Sequence, residues 1–208
     1  MVTLLHVAAS PRYERSESRA LARTFLDTLA EHRPDVTLEE WDLWDGSLPT
    51  FGPEAASAKM SVFAGAEPTG VDAVAWNATR LAFHRFAAAD YYLFSVPMWN
   101  HGVPYVLKQL IDVISQPGMV FSFDPVHGYT GLLTGRRAIV LATSAVYGEG
   151  RGPEFGEDFQ LPYLTSWLRW AGIRDISTVE LRPDLVVADA EVRRERAHLE
   201  ARAAAKAL

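Results

Sequence analysis

Short apolar runs alternate five times with segments whose apolar residues recur at three-and-four spacing, and no other feature of the chain constrains its fold as strongly. "VTLLHVAAS" (2–10), "DVTLEEWDL" (35–43), "YYLFSVP" (91–97), "RRAIVLATSA" (136–145) and "RDISTVELRP" (174–183) read as strands, most of them apolar throughout, as strands buried on both faces are. "SESRALARTFLDTLAEH" (16–32) places Leu21, Ala22, Phe25, Leu26 and Leu29 on one helical face. "GVDAVAWNATRLAFHRFAAAD" (70–90) reads as a long helix with Val71, Val74, Leu81 and Phe86 among its apolar positions. "GVPYVLKQLIDVIS" (102–115), "QLPYLTSWLRWAG" (160–172, ending at Gly172) and "DAEVRRERAHLEARAAAKAL" (189–208) complete the helices, and "WDGSLPTFGPEAASAKM" (44–60) reads as a loop.

Strands and helices in strict alternation, joined by short connections, imply a parallel sheet with helices on both faces, reached by right-handed crossovers. Five strands favour the order 2-1-3-4-5 in an α/β three-layer fold. The 208 residues suit a single domain spanning 1–208. A net charge of −6 argues against a broad nucleic-acid surface. With no cysteine there is no disulfide frame, thiol nucleophile or thiolate metal site, and no metal site is read elsewhere. The start "MVTLLHVAAS" lacks a basic leader pattern and no run approaches a membrane span, so the expectation is a cytoplasmic protein with no membrane partner.

In such sheets ligands sit outside the carboxyl ends of the strands, near the point where strand order reverses. The loops after the first, third and fourth strands should then carry unusual residues. After the first, "SPRYERSESRA" sets Ser10, Ser16 and Ser18 around a helix start, with Arg12 and Arg15 nearby, which suits a phosphate monoester. A helix cap would account for one serine, not three. The loop has neither dinucleotide nor P-loop spacing, which points to a mononucleotide phosphate. After the third, Pro97, Met98, Trp99, Asn100, His101 and Gly102 offer a stiff turn, an aromatic wall, an amide edge and close backbone approach to a flat heteroaromatic ring. The alternative is a plain turn with Trp99 packed into the core. After the fourth, Ser144, Tyr147 and the glycines at 148, 150 and 152 form either a ligand-approaching loop or an ordinary surface loop.

With "PMWNHGVPYVLKQLIDVI", "HVAASPRYERSESRALARTFL", "WDLWDGSLPTF" and "GLLTGRRAIVLATSAVYGEG" the chain resembles, over nearly its whole length, the FMN-dependent NADH-azoreductases of the flavodoxin-like quinone reductase group. The third-strand loop carries most of the likeness, since the family shows Pro-Met-Tyr-Asn-Phe there. The resemblance implies FMN, its phosphate held by Ser10, Ser16 and Ser18 with the backbone N–H of Glu17. Pro97, Met98, Trp99, Asn100 and His101 would line the ring and ribityl chain, and Ser144, Tyr147 and Gly148 would close the other edge. Trp99 for the usual Tyr and His101 for the usual Phe make this pocket edge wider and more polar, a difference that bears on substrate preference.

The implied activity is reduction of quinones, azo compounds or similar acceptors by NADH or NADPH, in a two-step exchange through bound flavin. Asn100 and the Ser144 loop are candidates for stabilising the reduced ring. No obligatory proton donor is assigned, and Asn100, His101, Tyr147 and His127 are the side chains available. A homodimer with FMN at the interface is also implied, with Trp99, Phe121, Phe123 and Tyr129 as aromatic surface and "GMVFSFDPVHGYTGLL" (118–133) capping the partner's flavin. Rival readings are a flavin reductase that supplies reduced FMN to a monooxygenase, a flavodoxin-type electron carrier, and a fold relative without FMN that binds a partner.

Overall fold

A computed structural model describes residues 2–208. Its central sheet is parallel: β1 (Val2–Ala8), β2 (Val36–Asp42), β3 (Tyr91–Pro97), β6 (Arg137–Thr143) and β7 (Asp175–Leu181) lie in the order β2-β1-β3-β6-β7. Counted by sheet strands alone this is the expected 2-1-3-4-5. The helices are α1 (Glu17–His32), α2 (Pro53–Phe63), α3 (Gly70–Ala87), α4 (Tyr105–Ile114), α5 (Leu161–Ala171) and α6 (Ala190–Lys206). A separate antiparallel hairpin, β4 (Phe121–Asp124) and β5 (Gly128–Gly131), stands between α4 and β6.

Strand alternation divides the core. Leu5 and Val7 of β1, Tyr92, Phe94 and Val96 of β3 and Val140 of β6 pack on the face covered by α3, α4 and α5. Leu4, Leu93, Ile139, Leu141, Val179 and Leu181 pack on the opposite face, against Leu21, Phe25 and Leu29 of α1 and Ala197, Ala201 and Ala205 of α6. By the same parity His6 and Ser95 point to the α1 face, where they are the buried polar members of otherwise apolar strands. α5 ends as expected, with Gly172 left-handed at φ 106°.

One expectation is corrected, and two features go beyond what was read. Residues 53–63 form α2 rather than loop: Pro53 sits at the first turn, where its missing N–H is no loss, and alanines follow. Of the four apolar positions of α3 named from the sequence, only Phe86 is buried, while Val71, Val74 and Leu81 are exposed. The buried stripe instead runs through Trp76, Thr79, Ala82 and Phe86, because the alanine-rich sequence supports more than one stripe and packing selects the one with the largest side chains. The hairpin was not foreseen from the sequence, and Asp124 closes its turn by accepting from the N–H groups of Val126 and His127.

Candidate functional site

The three loops singled out by sequence meet at the carboxyl edge of the sheet, since β1, β3 and β6 are adjacent and parallel. After β1, Ser16 caps α1 by accepting from the N–H of Arg19 at 3.4 Å, so the capping reading holds for that serine. Ser18 is buried in the first turn with its hydroxyl 3.1 Å from that of Ser16, and the equally buried Ser10 accepts from the N–H of Arg12 at 3.3 Å. The N–H groups of Glu17 and Ser18 have no intrahelical acceptor, as at any helix start, and no partner among the described residues. Three hydroxyls and two free amides at the positive end of a helix fit the phosphate of FMN.

The residue that shapes this cradle was missed by sequence reasoning. Arg19 is buried, donates from Nε to the carbonyl of Ser10 at 2.9 Å, and pairs with Asp42 at 2.6 Å and Glu40 at 3.5 Å. One side chain thereby ties the β1 loop to the end of β2. A clue lay in the helical spacing, which puts an arginine beside Ala22 on the apolar stripe of α1. Behind it, Nε2 of His6 meets Oγ of Ser95 at 2.9 Å, and burial lowers the His6 pKa to about 4, with Arg19 adding to the effect.

After β3, Met98 donates its N–H to the carbonyl of Thr143, continuing the ladder. Trp99 and Gly102 then exchange two backbone bonds of 2.9 Å around Asn100 and His101, whose φ values are +47° and +69°. Two left-handed residues in succession define a tight hairpin turn and leave the amides of Asn100 and His101 without partners among the described residues. Trp99 is 36% exposed, so it is not the core residue of the alternative reading. Its ring leans on Trp44 (5.7 Å between centroids) and Tyr105 (6.3 Å), and Trp44 is itself fixed by donating Nε1–H to the carbonyl of Ala9 at 3.0 Å. A groove of about 790 Å³ opens beside Trp99 and Asn100, bounded by Phe51, Lys59, Tyr105 and Lys108.

His101 turns to the third loop. Its Nδ1 accepts weakly from the N–H of Glu157 at 3.4 Å, its carbonyl accepts from Phe159 at 2.8 Å, and Gly156 passes so close that a Cβ there would lie 3.2 Å from Nε2. Ser144 is buried and accepts from the N–H of Tyr147 at 3.1 Å, while a Cβ on Gly148 would lie 2.4 Å from Cδ of Pro183. Arg182 pairs with Asp158 at 2.7 Å and with Glu180, and lies over the Tyr147 ring at 5.2 Å. His127 belongs instead to the turn of the hairpin, with its Nδ1 on Asp124. The segment after β7 is a further contributor not foreseen: Asp184 and Leu185 donate their N–H groups to Ser144 and Ala145.

The model for proteins of flavodoxin-like fold matches residues 2–206. The chain belongs to that flavodoxin-like family. Among its relatives in the family, an FMN-dependent NADH:quinone oxidoreductase of Ruegeria pomeroyi is 43% identical over 199 residues, covering 95% of this chain and 97% of the relative. An FMN-dependent NADH:quinone oxidoreductase of Bradyrhizobium diazoefficiens is 42% identical over 195 residues, covering 91% and 90%. Among solved flavodoxin-like structures, an azoreductase from Bacillus anthracis superposes with a TM-score of 0.91 over the full length of both chains, at 26% identity.

Proposed function

We propose that the chain is an FMN-dependent NAD(P)H oxidoreductase that reduces quinones, azo compounds or similar electron-poor acceptors. The observation that carries this is the meeting, at one sheet edge, of a hydroxyl and amide cradle suited to a phosphate with the exposed Trp99 and the free amides of the turn at 100–101. The names of relatives similar over nearly the whole chain support the same reading. FMN, when bound, accepts a hydride from the nicotinamide and passes two electrons to the acceptor.

The rest is done by this chain's residues. Ser10, Ser16, Ser18 and the N–H of Glu17 hold the phosphate. Pro97, Met98, Trp99, Asn100 and His101 form the wall for the ring and ribityl chain, with the amides of Asn100 and His101 as donors where negative charge develops. Ser144, Tyr147 and Gly148 close the far edge. Phe123 and Tyr129, exposed on the hairpin at 55% and 58%, support a homodimer in which residues 118–133 cover the partner's site. The acceptor is a small molecule, neither membrane nor nucleic acid takes part, and the whole chain works as one FMN-binding domain in the cytoplasm, where NADH is at hand.

The test is an anaerobic absorbance spectrum of the FMN-loaded protein. A flavin band that NADH bleaches and a quinone restores is the expected result, with parallel double-reciprocal plots when both reactants are varied. Protein that stays colourless after incubation with FMN overturns the reading, and sedimentation of FMN-loaded protein as a monomer overturns the dimer.

A further inference from the structure

The phosphate cradle has an acidic flank. Asp184, on the segment that continues β7, is only 8% exposed, and its carboxylate makes no hydrogen bond to another residue. Its N–H donates to the carbonyl of Ser144 at 2.9 Å, which fixes it at the site's edge, and its carboxylate lies within the electrostatic reach of Glu17 in the first turn of α1, Arg194 of α6 and Arg12 of the β1 loop. Of the arginines nearby, all but Arg12 are already engaged. Arg194 pairs with Glu17 at 3.1 Å and with Glu191 at 2.6 Å, and Arg19 pairs with Asp42 and Glu40. His198 of α6 bonds Thr24 at 2.7 Å. A phosphate dianion at the amides of Glu17 and Ser18 therefore arrives beside two carboxylates whose nearby arginines, except Arg12, are committed.

We propose that Asp184 is the proton-carrying residue of the cofactor site, taking a proton from solvent as the FMN phosphate docks, so that cofactor binding and protonation of this carboxyl are linked. The inference rests on the FMN reading above. Burial and the neighbouring Glu17 already push the Asp184 pKa up to about 6, so a proton is within reach at neutral pH. An added anion raises it further. The sign follows: the stronger binding that goes with a protonated Asp184 is complete below pH 6, and it is lost as pH rises through the higher value of the loaded protein.

FMN fluorescence quenching, followed from pH 5.5 to pH 8.5 in wild type and Asp184→Asn, reads this directly. Free FMN, whose phosphate titrates at about pH 6, is the same ligand for both proteins, so the ratio of their Kd values reports the coupling between Asp184 and the bound phosphate. The expected result is a wild-type Kd that worsens relative to the variant by about tenfold across the range, the factor carried by one unit of upward shift. Riboflavin, which lacks the phosphate, should show no such divergence. Calorimetric titration of wild type in buffers of different ionisation enthalpy should show net proton uptake near pH 7, and needs no variant. A flat Kd ratio with FMN bound in both proteins, or binding with no proton uptake, overturns the inference and leaves the cofactor reading intact. Absence of FMN binding at every pH overturns the cofactor reading and this one with it.

Discussion

The two halves of the candidate site are held in different ways. At the β1 loop, buried side chains hold the geometry: Arg19 grips the Ser10 carbonyl, Asp42 and Glu40 at once, with His6 and Ser95 packed behind. At the β3 and β6 loops the backbone holds it, through the left-handed pair Asn100 and His101 and through Gly148 pressed on Pro183, while Trp99 stays half-open to solvent. The difference suits the proposed chemistry. An anchored phosphate asks for a fixed cradle, and a ring that meets two reactants in turn asks for an open wall with a precise backbone.

The comparison breaks first at Arg19. Arg19→Met leaves Asp42 and Glu40 without their partner and frees the Ser10 carbonyl, so the expected loss is about 1.5–3 kcal/mol, as for charged hydrogen bonds whose carboxylates still reach solvent. Arg19→Lys keeps the charge but not the fork that reaches three acceptors, and should recover only part. Urea unfolding at pH 7 measures both. A loss below ~1 kcal/mol, the range of an exposed pair, would mean that the β1 loop is not held by this side chain.

His6 sharpens the same half by pH. Its pKa is about 4 in the folded protein against an ordinary 6.5, so the unfolded chain binds the proton more tightly. The stability this brings is present above pH 6.5 and is lost as pH falls toward 4, by up to about 3 kcal/mol. Asp184 runs the other way over part of that range, because its raised pKa favours the folded state at low pH. Unfolding free energies at pH 7 and 4.5 should therefore fall less steeply in wild type than in Asp184→Asn, and least in His6→Asn. An unchanged slope in His6→Asn would remove His6 as the cause.

In the backbone-held half, Gly148→Ala sets a methyl against Pro183, and the expected loss is about 1–3 kcal/mol of stability. Because the strain falls where the β6 loop meets the end of β7, FMN affinity should drop with it. Stability lost with an unchanged Kd for FMN would detach this loop from the cofactor site.

Much of this was legible in the sequence for physical reasons. Strand order follows from short parallel crossovers, and the edge position of the three loops follows from strand order, so Ser10, Trp99 and Ser144 are brought to one edge by topology alone. What escaped was tertiary. The alanine-rich α3 offers several apolar stripes, and only packing selects Trp76 over Val74. Arg19 reads as one arginine among several until β2 supplies its carboxylates. Asp184 looks like a turn residue until α1 and α6 close around it.

The smallest expected effect tests the turn that faces the ring. Asn tolerates a left-handed backbone because its short amide can bond locally, whereas Ala at φ +47° meets the Cβ penalty in full. Asn100→Ala should then cost about 1 kcal/mol of stability, and Asn100→Gly should cost almost none, since glycine has no Cβ to clash. FMN binding separates backbone from side chain in the same pair of variants. If the free amides of the turn are what the ring uses, the glycine variant keeps its affinity although the carboxamide is gone. If both variants lose affinity alike, the Asn100 side chain is the donor, and the division between a side-chain cradle and a backbone wall does not hold at this residue.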